Sequence, residues 1–420
     1  MDGVRLKTRS ARGQDGRSIT RSSERWDIVV VGAGIIGLAS AMRLLEREPG
    51  TRLLVLEKEP VIAAHQTGHN SGVIHRGVYY APGSLKAKLC VEGAARLIDF
   101  CDRHRIPYRL CGKLVLAASE EELPALDELE RRARANGVPD VVRVDRAQIR
   151  SLEPHVHGVS GLHSPMTGIV DYGEVARAYA DEVRQRGGTI LLSAEVERIE
   201  AHDDGAHLFV RGRAIRTARI VTCAGLQSDR LAAMTGARTA LRIVPFRGSY
   251  YQLRHASRSL VRGLVYPVPD ARFPFLGVHL TPRMDGSVWA GPSAVVAFAR
   301  EGYSFWKVSP SELMDTLTYR GFWRLAGRYW QTGLSEMRRD VSRTAYASVV
   351  RRYLPSLRGR DLIPAAAGVR AQAIALDGSL IDDFVIRRSG AAVHVLNAPS
   401  PAATSALAIA DVVADRALAP

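Results

Sequence analysis

The chain has 420 residues and a mass of 45.8 kDa, 46% hydrophobic and 24% charged, the composition of a globular protein of about two to three domains. That balance excludes a collagen, a coiled coil and a wholly disordered chain, and no run approaches the ~18 to 20 apolar residues of a membrane-spanning helix. The net charge of +15 invites an anionic partner: a nucleic acid, an anionic membrane face or an acidic substrate. Arginine is scattered along the whole chain and no nucleic-acid fold signature appears, so no nucleic acid is expected. The four cysteines (Cys90, Cys101, Cys111, Cys223) form no CxxC pair, which argues against a disulfide or metal framework and for a reducing cytoplasm.

Residues 1–25 carry seven basic side chains against three acids and almost no apolar anchors, so they read as a basic tail. Order is expected from Trp26, where Trp26–Val31 reads as a buried strand. Gly32-x-Gly34-x-x-Gly37 follows it and opens a helix from Leu38 to Glu46. A second strand, Arg52–Glu57, ends in an acid twenty residues after Gly37. Helices are expected over Ser84–His104, Glu120–Asn136 and Gly173–Gly187, with one strand over Tyr108–Ala118 between the first two. Thr189–Gly225 alternates like a strand, a hairpin and a strand. Leu241–Leu253 and Gly286–Ala290 read as sheet. Ser309-Pro310-Ser311-Glu312 has capping-box spacing at the head of a helical block that runs to Leu354. Strands Ile381–Arg387 and Ala392–Leu396 precede a last helix, Thr404–Leu418.

The first unit is a βαβ phosphate-binding turn. Its glycines let backbone approach a pyrophosphate, with Ile35 and Ile36 at the helix start, and Glu57, followed by Lys58, accepts the ribose hydroxyls. An acid there disfavours a 2′-phosphate, leaving FAD or NAD. FAD is the better choice, because Ile220–Gly225, with Ala224 and Gly225 at its end, supplies a second nucleotide-side strand. Ser193–Val196 reads as a strand passing the adenine.

Further motifs run in order: His65 to Tyr80 (HQTGHNSGVIHRGVYY), Pro82–Ala87, Pro245–Gly248, Phe275–Thr281, Gly368–Gln372 and Asn397–Ala406. Together they resemble the L-2-hydroxyglutarate oxidase/dehydrogenase family of D-amino-acid-oxidase-like flavoproteins, from Trp26 to the C-terminus. Arg76 is a departure, standing where a small residue is expected. The resemblance implies an α/β fold: a Rossmann-type FAD-binding domain interleaved with an α+β substrate domain containing an antiparallel sheet. The expected division is 26–107, 166–240 and 355–420 for FAD, with 108–165 and 241–354 for substrate. It also implies oxidation of a dicarboxylate 2-hydroxy acid, L-2-hydroxyglutarate, with quinone or oxygen as electron acceptor. With the positive charge, this places the protein in the cytoplasm, peripheral on the inner face of the cell membrane.

The residues carry their own chemistry. Gln66, Thr67, His69, Asn70 and Ser71 form a small polar loop after the ribose acid, suited to pyrophosphate and ribityl contact. His75 suits a general base for the substrate hydroxyl, with substrate orientation or covalent flavin attachment as the other readings. Arg370, beside Gly368, is a cation in apolar company that should meet the α-carboxylate, or else a buried ion pair. Arg247 is a second cation for the distal carboxylate, and Tyr251 is the alternative base. Asn397, Ser400, Pro401, Ala402, Ala403 and Thr404 leave room for a flat ring at a helix N-terminus, and Val196 is assigned to the adenine. The rival functions are an amino-acid or glycine oxidase, a glycerol-3-phosphate dehydrogenase and a non-catalytic basic flavoprotein.

Overall fold

The computed structural model describes residues 25–202, 204–269 and 277–419. The basic tail, apart from Arg25, and the motif residues Phe275 and Leu276 lie outside them. The first unit forms as its pattern demands. Strand Arg25–Val31 runs parallel to Leu53–Leu56 on one side and to Arg213–Thr222 on the other, with helix Ile35–Arg47 between the first two. Thr189–Leu191 extends this sheet beyond Leu53–Leu56, and Ala392–Asn397 joins it beside Arg213–Thr222. Helices Ile35–Arg47, Tyr172–Gln185 and Ala406–Leu418 close over one face, where Leu38, Leu44, Tyr179 and Ile409 are fully buried. Continuous apolar strands covered by crossover helices are the sequence signature of such a parallel sheet.

A second sheet has nine strands among the described residues and is antiparallel except where Leu264–Pro267 runs parallel to Lys113–Ala117. Its longest ladder joins Leu241–Leu253 to Leu362–Ala375, with Phe246 opposite Arg370 and Gly248 opposite Gly368. Leu362–Ala375 was not expected as a strand. It places fourteen residues beyond the boundary expected at 355 in the antiparallel sheet. The architecture is therefore a Rossmann-type α/β layer joined to an α+β layer, as the resemblance implied.

Local differences have identifiable causes. Tyr108–Ala118 is two strands in two sheets, Tyr108–Arg109 and Lys113–Ala117, because Gly112 at φ +72° turns the chain between them. Ser193–Val196 joins no ladder, although the Ala194 N–H donates to the Glu57 carbonyl at 2.7 Å. The capping box at Ser309 does not form. Glu312 instead accepts from the Arg300 N–H at 2.8 Å and from Arg230 at 2.9 Å.

One buried ion pair ties the layers together. The Arg300 side chain is 3% exposed, pairs with Asp229 and donates to the Leu226 carbonyl at 2.7 Å. Asp229 in turn accepts the Ile243 N–H at 3.0 Å. Removing one partner strands the other charge, so Arg300→Met is expected to destabilise the fold by about 3 to 5 kcal/mol. Denaturant unfolding monitored by tryptophan fluorescence measures this, and a loss below about 1 kcal/mol would contradict the assignment.

Candidate active site

Between the two sheets lies a cavity of about 1130 Å³. Its nucleotide end is the glycine turn. Gly32 sits at φ +106°, and a Cβ on Gly37 would come within 1.9 Å of the Gly32 carbonyl oxygen. Gly37 itself lies behind the wall, while Gly32, Gly34, Ile35 and Ile36 line it. Glu57 accepts the Ala33 N–H at 2.7 Å, and the Thr67 hydroxyl accepts the Ile35 N–H at 3.0 Å. The N–H groups of Gly34 and Ile36 keep no acceptor among the described residues, which is what a pyrophosphate requires. Ala224, Gly225, Val196 and Lys58 line the same end, with the Lys58 ammonium bonded to Glu301.

The polar loop is built by its own side chains. Asn70 Oδ1 accepts the Gly72 N–H at 2.7 Å, and its amide bonds back to the Thr67 carbonyl. His69 stacks on Tyr303 with centroids 4.2 Å apart, and its Nδ1–H donates to the Ala367 carbonyl at 3.2 Å. Gln66 and Ser71 complete this wall.

The opposite end belongs to the last strand and helix. Ser400, Pro401, Ala402, Ala403 and Thr404 line the cavity, and the Ala403 and Thr404 N–H groups have no acceptor among the described residues. Asn397 donates to the carbonyls of Ile381 and Asp383, which leaves its buried Oδ1 at the cavity wall without a partner. Free donors at both ends, one orphan acceptor and glycines whose side-chain space is filled by backbone all fit an extended dinucleotide.

His75 follows strand Val73–Ile74, its N–H bonded to the Thr404 hydroxyl at 3.1 Å and its Nε2 within 3.4 Å of Ser400 Oγ. Desolvation, helped by the charges of Lys113 and Lys86, pushes its pKa well below the usual imidazole value, so the ring is neutral at pH 7. Arg370 and Gly368 line the cavity beside Tyr250, and Tyr266 and His279 stack at 4.0 Å on the same side.

Two expected site residues are elsewhere. Arg247 pairs with Asp340, and the Tyr251 hydroxyl donates to the Asp340 carbonyl at 3.4 Å; neither lines the cavity. Along Leu241–Leu253 it is Gly248 and Tyr250 that line it, one residue out of phase. Arg76 is buried and donates to the Met166 carbonyl at 2.9 Å, away from the cavity lining. Tyr250, Tyr266, His279 and Lys86 line the cavity and were missed, and so was the buried Lys113 packed against Tyr266. His279 and Lys86 stand inside motifs already singled out, so a signal existed for them; for Lys113 there was none.

Residues 27–416 match the family described as FAD dependent oxidoreductase. The fold is that of L-α-glycerophosphate oxidase from Mycoplasma pneumoniae, with a TM-score of 0.77 at 22% identity over 94% of this chain and 96% of that one. This is an FAD-dependent oxidoreductase, and its cofactor is FAD. Similarity at the sequence level is more specific. The mitochondrial L-2-hydroxyglutarate dehydrogenase of Caenorhabditis elegans is 47% identical over 94% of this chain and 93% of its own length. L-2-hydroxyglutarate dehydrogenase of Indibacter alkaliphilus is 44% identical over 94% and 99%. Within the oxidoreductase class, the chain belongs to the L-2-hydroxyglutarate dehydrogenase family.

Gly37→Ala is expected to purify colourless, because its methyl group would collide with the Gly32 carbonyl. The flavin absorbance near 450 nm per mole of protein measures it. A stoichiometrically yellow variant would show that the turn tolerates a side chain.

Proposed function

We propose that the protein oxidises L-2-hydroxyglutarate to 2-oxoglutarate. The observation that carries the reading is Arg370 in the same cavity wall as a neutral His75, in a chain whose relatives are L-2-hydroxyglutarate dehydrogenases. Arg370 holds the α-carboxylate with two parallel donors, which fixes the α-carbon. His75 Nε2 accepts the hydroxyl proton as the carbonyl forms, and Ser400 steadies the ring. FAD, when bound, supplies the hydride acceptor. The polar loop and Tyr303 close the cofactor end, and the tyrosines close the substrate end.

The test is anaerobic reduction of the bound flavin by both enantiomers of 2-hydroxyglutarate, L-lactate, glycine and glycerol 3-phosphate. Reduction by L-2-hydroxyglutarate alone supports the reading, and rapid reduction by lactate or glycine with none by L-2-hydroxyglutarate sinks it. His75→Ala should keep its flavin and reduce about 10²- to 10⁴-fold more slowly. With the wild type, the limiting reduction rate should stay flat down to pH 6.5. It should fall only well below, where the imidazole protonates and ceases to be a base.

The electron acceptor we propose is a membrane quinone, with oxygen as a slow alternative, reached by peripheral docking on an anionic bilayer face. No helix among the described residues is long and apolar enough to cross a membrane. Helix Arg320–Val341, kinked at Tyr329, nevertheless exposes Trp330, Leu334, Met337 and Val341 at helical spacing after the kink and Trp323 before it, and Trp306 nearby in sequence is 86% exposed. The same helix carries five arginines against two acids, and both acids are engaged, Asp340 with Arg247 and Glu336 with Arg339. An apolar stripe with basic flanks matches an interfacial helix, and each well-placed cation adds about 1 kcal/mol on an anionic surface. The wild type should sediment with anionic vesicles but not zwitterionic ones. The double variant Trp330→Glu, Leu334→Glu should stay in solution while keeping activity with a soluble dye. A wild type indifferent to anionic vesicles would refute the docking.

A further inference from the structure

Two lysines stand at the substrate end of the cavity besides Arg370. Lys86 is already paired, its ammonium 2.7 Å from the Asp382 carboxylate. Lys113 is not. Its side chain, on strand Lys113–Ala117, is 2% exposed, and its ammonium lies over the rings of Tyr266 at 4.1 Å and Tyr79 at 4.8 Å. Among the described residues no carboxylate lies within ion-pair distance of it. Ring faces compensate a buried ammonium only weakly.

Both tyrosines line the cavity. His279, stacked on Tyr266, feels the charges of both Lys113 and Arg370, and His75 feels those of Lys113 and Lys86. The charges of Lys113 and Arg370 therefore both act on His279, which lines the cavity with Arg370 while Lys113 stands behind the tyrosine rings.

We propose that Lys113 is a specificity-determining positioning residue, supplying from behind Tyr79 and Tyr266 the countercharge for the second carboxylate of a dicarboxylate held at its first by Arg370. This rests on the proposed substrate and goes further, because it names the group that separates a dicarboxylate from a monocarboxylate after Arg247 is removed from consideration. It acts through the tyrosine wall and touches no reacting atom.

The arrangement carries a proton signature. Burial lowers the Lys113 pKa from 10.5 to about 7. The other titratable groups that face it do not change charge between pH 6 and 9. Burial pushes the Cys90 thiol up to about 12 and raises both tyrosines, while it lowers His279 to about 3 and takes His75 well below its usual value. Below pH 7 Lys113 is charged before the ligand enters. Above it, dianion binding must first take up a proton, so affinity falls by up to about tenfold per pH unit.

The experiment titrates the spectrum of the bound flavin in the holoenzyme with glutarate, a dicarboxylate with no hydroxyl to oxidise, and with butyrate, from pH 6 to pH 9. In the wild type glutarate should bind more tightly than butyrate at pH 6. That advantage should shrink above pH 7 while butyrate affinity stays level. Lys113→Met should lose about ten- to a hundredfold in glutarate affinity and its pH slope, with butyrate unchanged. Lys113→Arg should keep the preference and make it independent of pH. A wild-type glutarate preference that is flat with pH, or one unchanged in Lys113→Met, overturns the proposal. The wild-type titration alone decides the matter if the methionine variant does not fold. If the wild type binds no glutarate and is not reduced by L-2-hydroxyglutarate, the substrate reading itself fails. If it is reduced normally and only the pH slope is missing, Lys113 alone is excluded.

Discussion

The site depends on the ladder between Leu241–Leu253 and Leu362–Ala375. Its register sets Arg370 opposite Phe246 and Gly368 opposite Gly248, which puts the guanidinium in the cavity wall beside Tyr250. A slip of one residue would turn every side chain to the other face. Both glycines are needed: where the ladder passes the cofactor loop a Cβ on Gly368 would meet the His69 carbonyl oxygen at 2.6 Å, and one on Gly248 would meet Pro292 at 2.6 Å. Backbone approach on one strand and a charged clamp two residues along it are thus one design, held by main-chain hydrogen bonds.

The second constraint is electrostatic. The nucleotide end offers unbonded N–H groups and the carboxylate of Glu57, already fixed by the Ala33 N–H and the Glu59 N–H. At the substrate end Arg370 and the Asp382-paired Lys86 line the cavity, Lys113 lies against the rings of Tyr79 and Tyr266, and desolvation keeps the imidazoles of His75 and His279 neutral. A neutral base can accept a proton from a bound hydroxyl without first losing one.

The βαβ unit was legible because its chemistry demands residues in one order: apolar strand, glycines where backbone must approach, and an acid at the end of the second strand. The final loop was legible for the same reason, since Ala402–Thr404 must be small. Leu362–Ala375 was not, because Pro364 and the alanines beyond it have little intrinsic strand preference, and the partner strand alone makes them sheet. Arg247 and Tyr251 were assigned to the site because alternation shows that a strand has two faces but not which face meets the cavity. The irregular register between Ser249 and Tyr251 hides it further. Lys113 is silent in sequence, since a lysine at the head of a strand is ordinarily solvated, and only the fold lays two tyrosine rings over it.

The register of this ladder decides which arginine meets the substrate, and a pair of substitutions reads it out. Arg370→Lys and Arg247→Lys can be compared by anaerobic stopped-flow reduction at several L-2-hydroxyglutarate concentrations. Arg370→Lys should weaken binding and slow reduction while its flavin spectrum is unchanged, because an ammonium cannot reproduce the two parallel donors. Arg247→Lys, whose charge stays paired with Asp340, should bind and reduce like the wild type. The opposite pattern, with Arg370→Lys normal and Arg247→Lys impaired, would contradict that register.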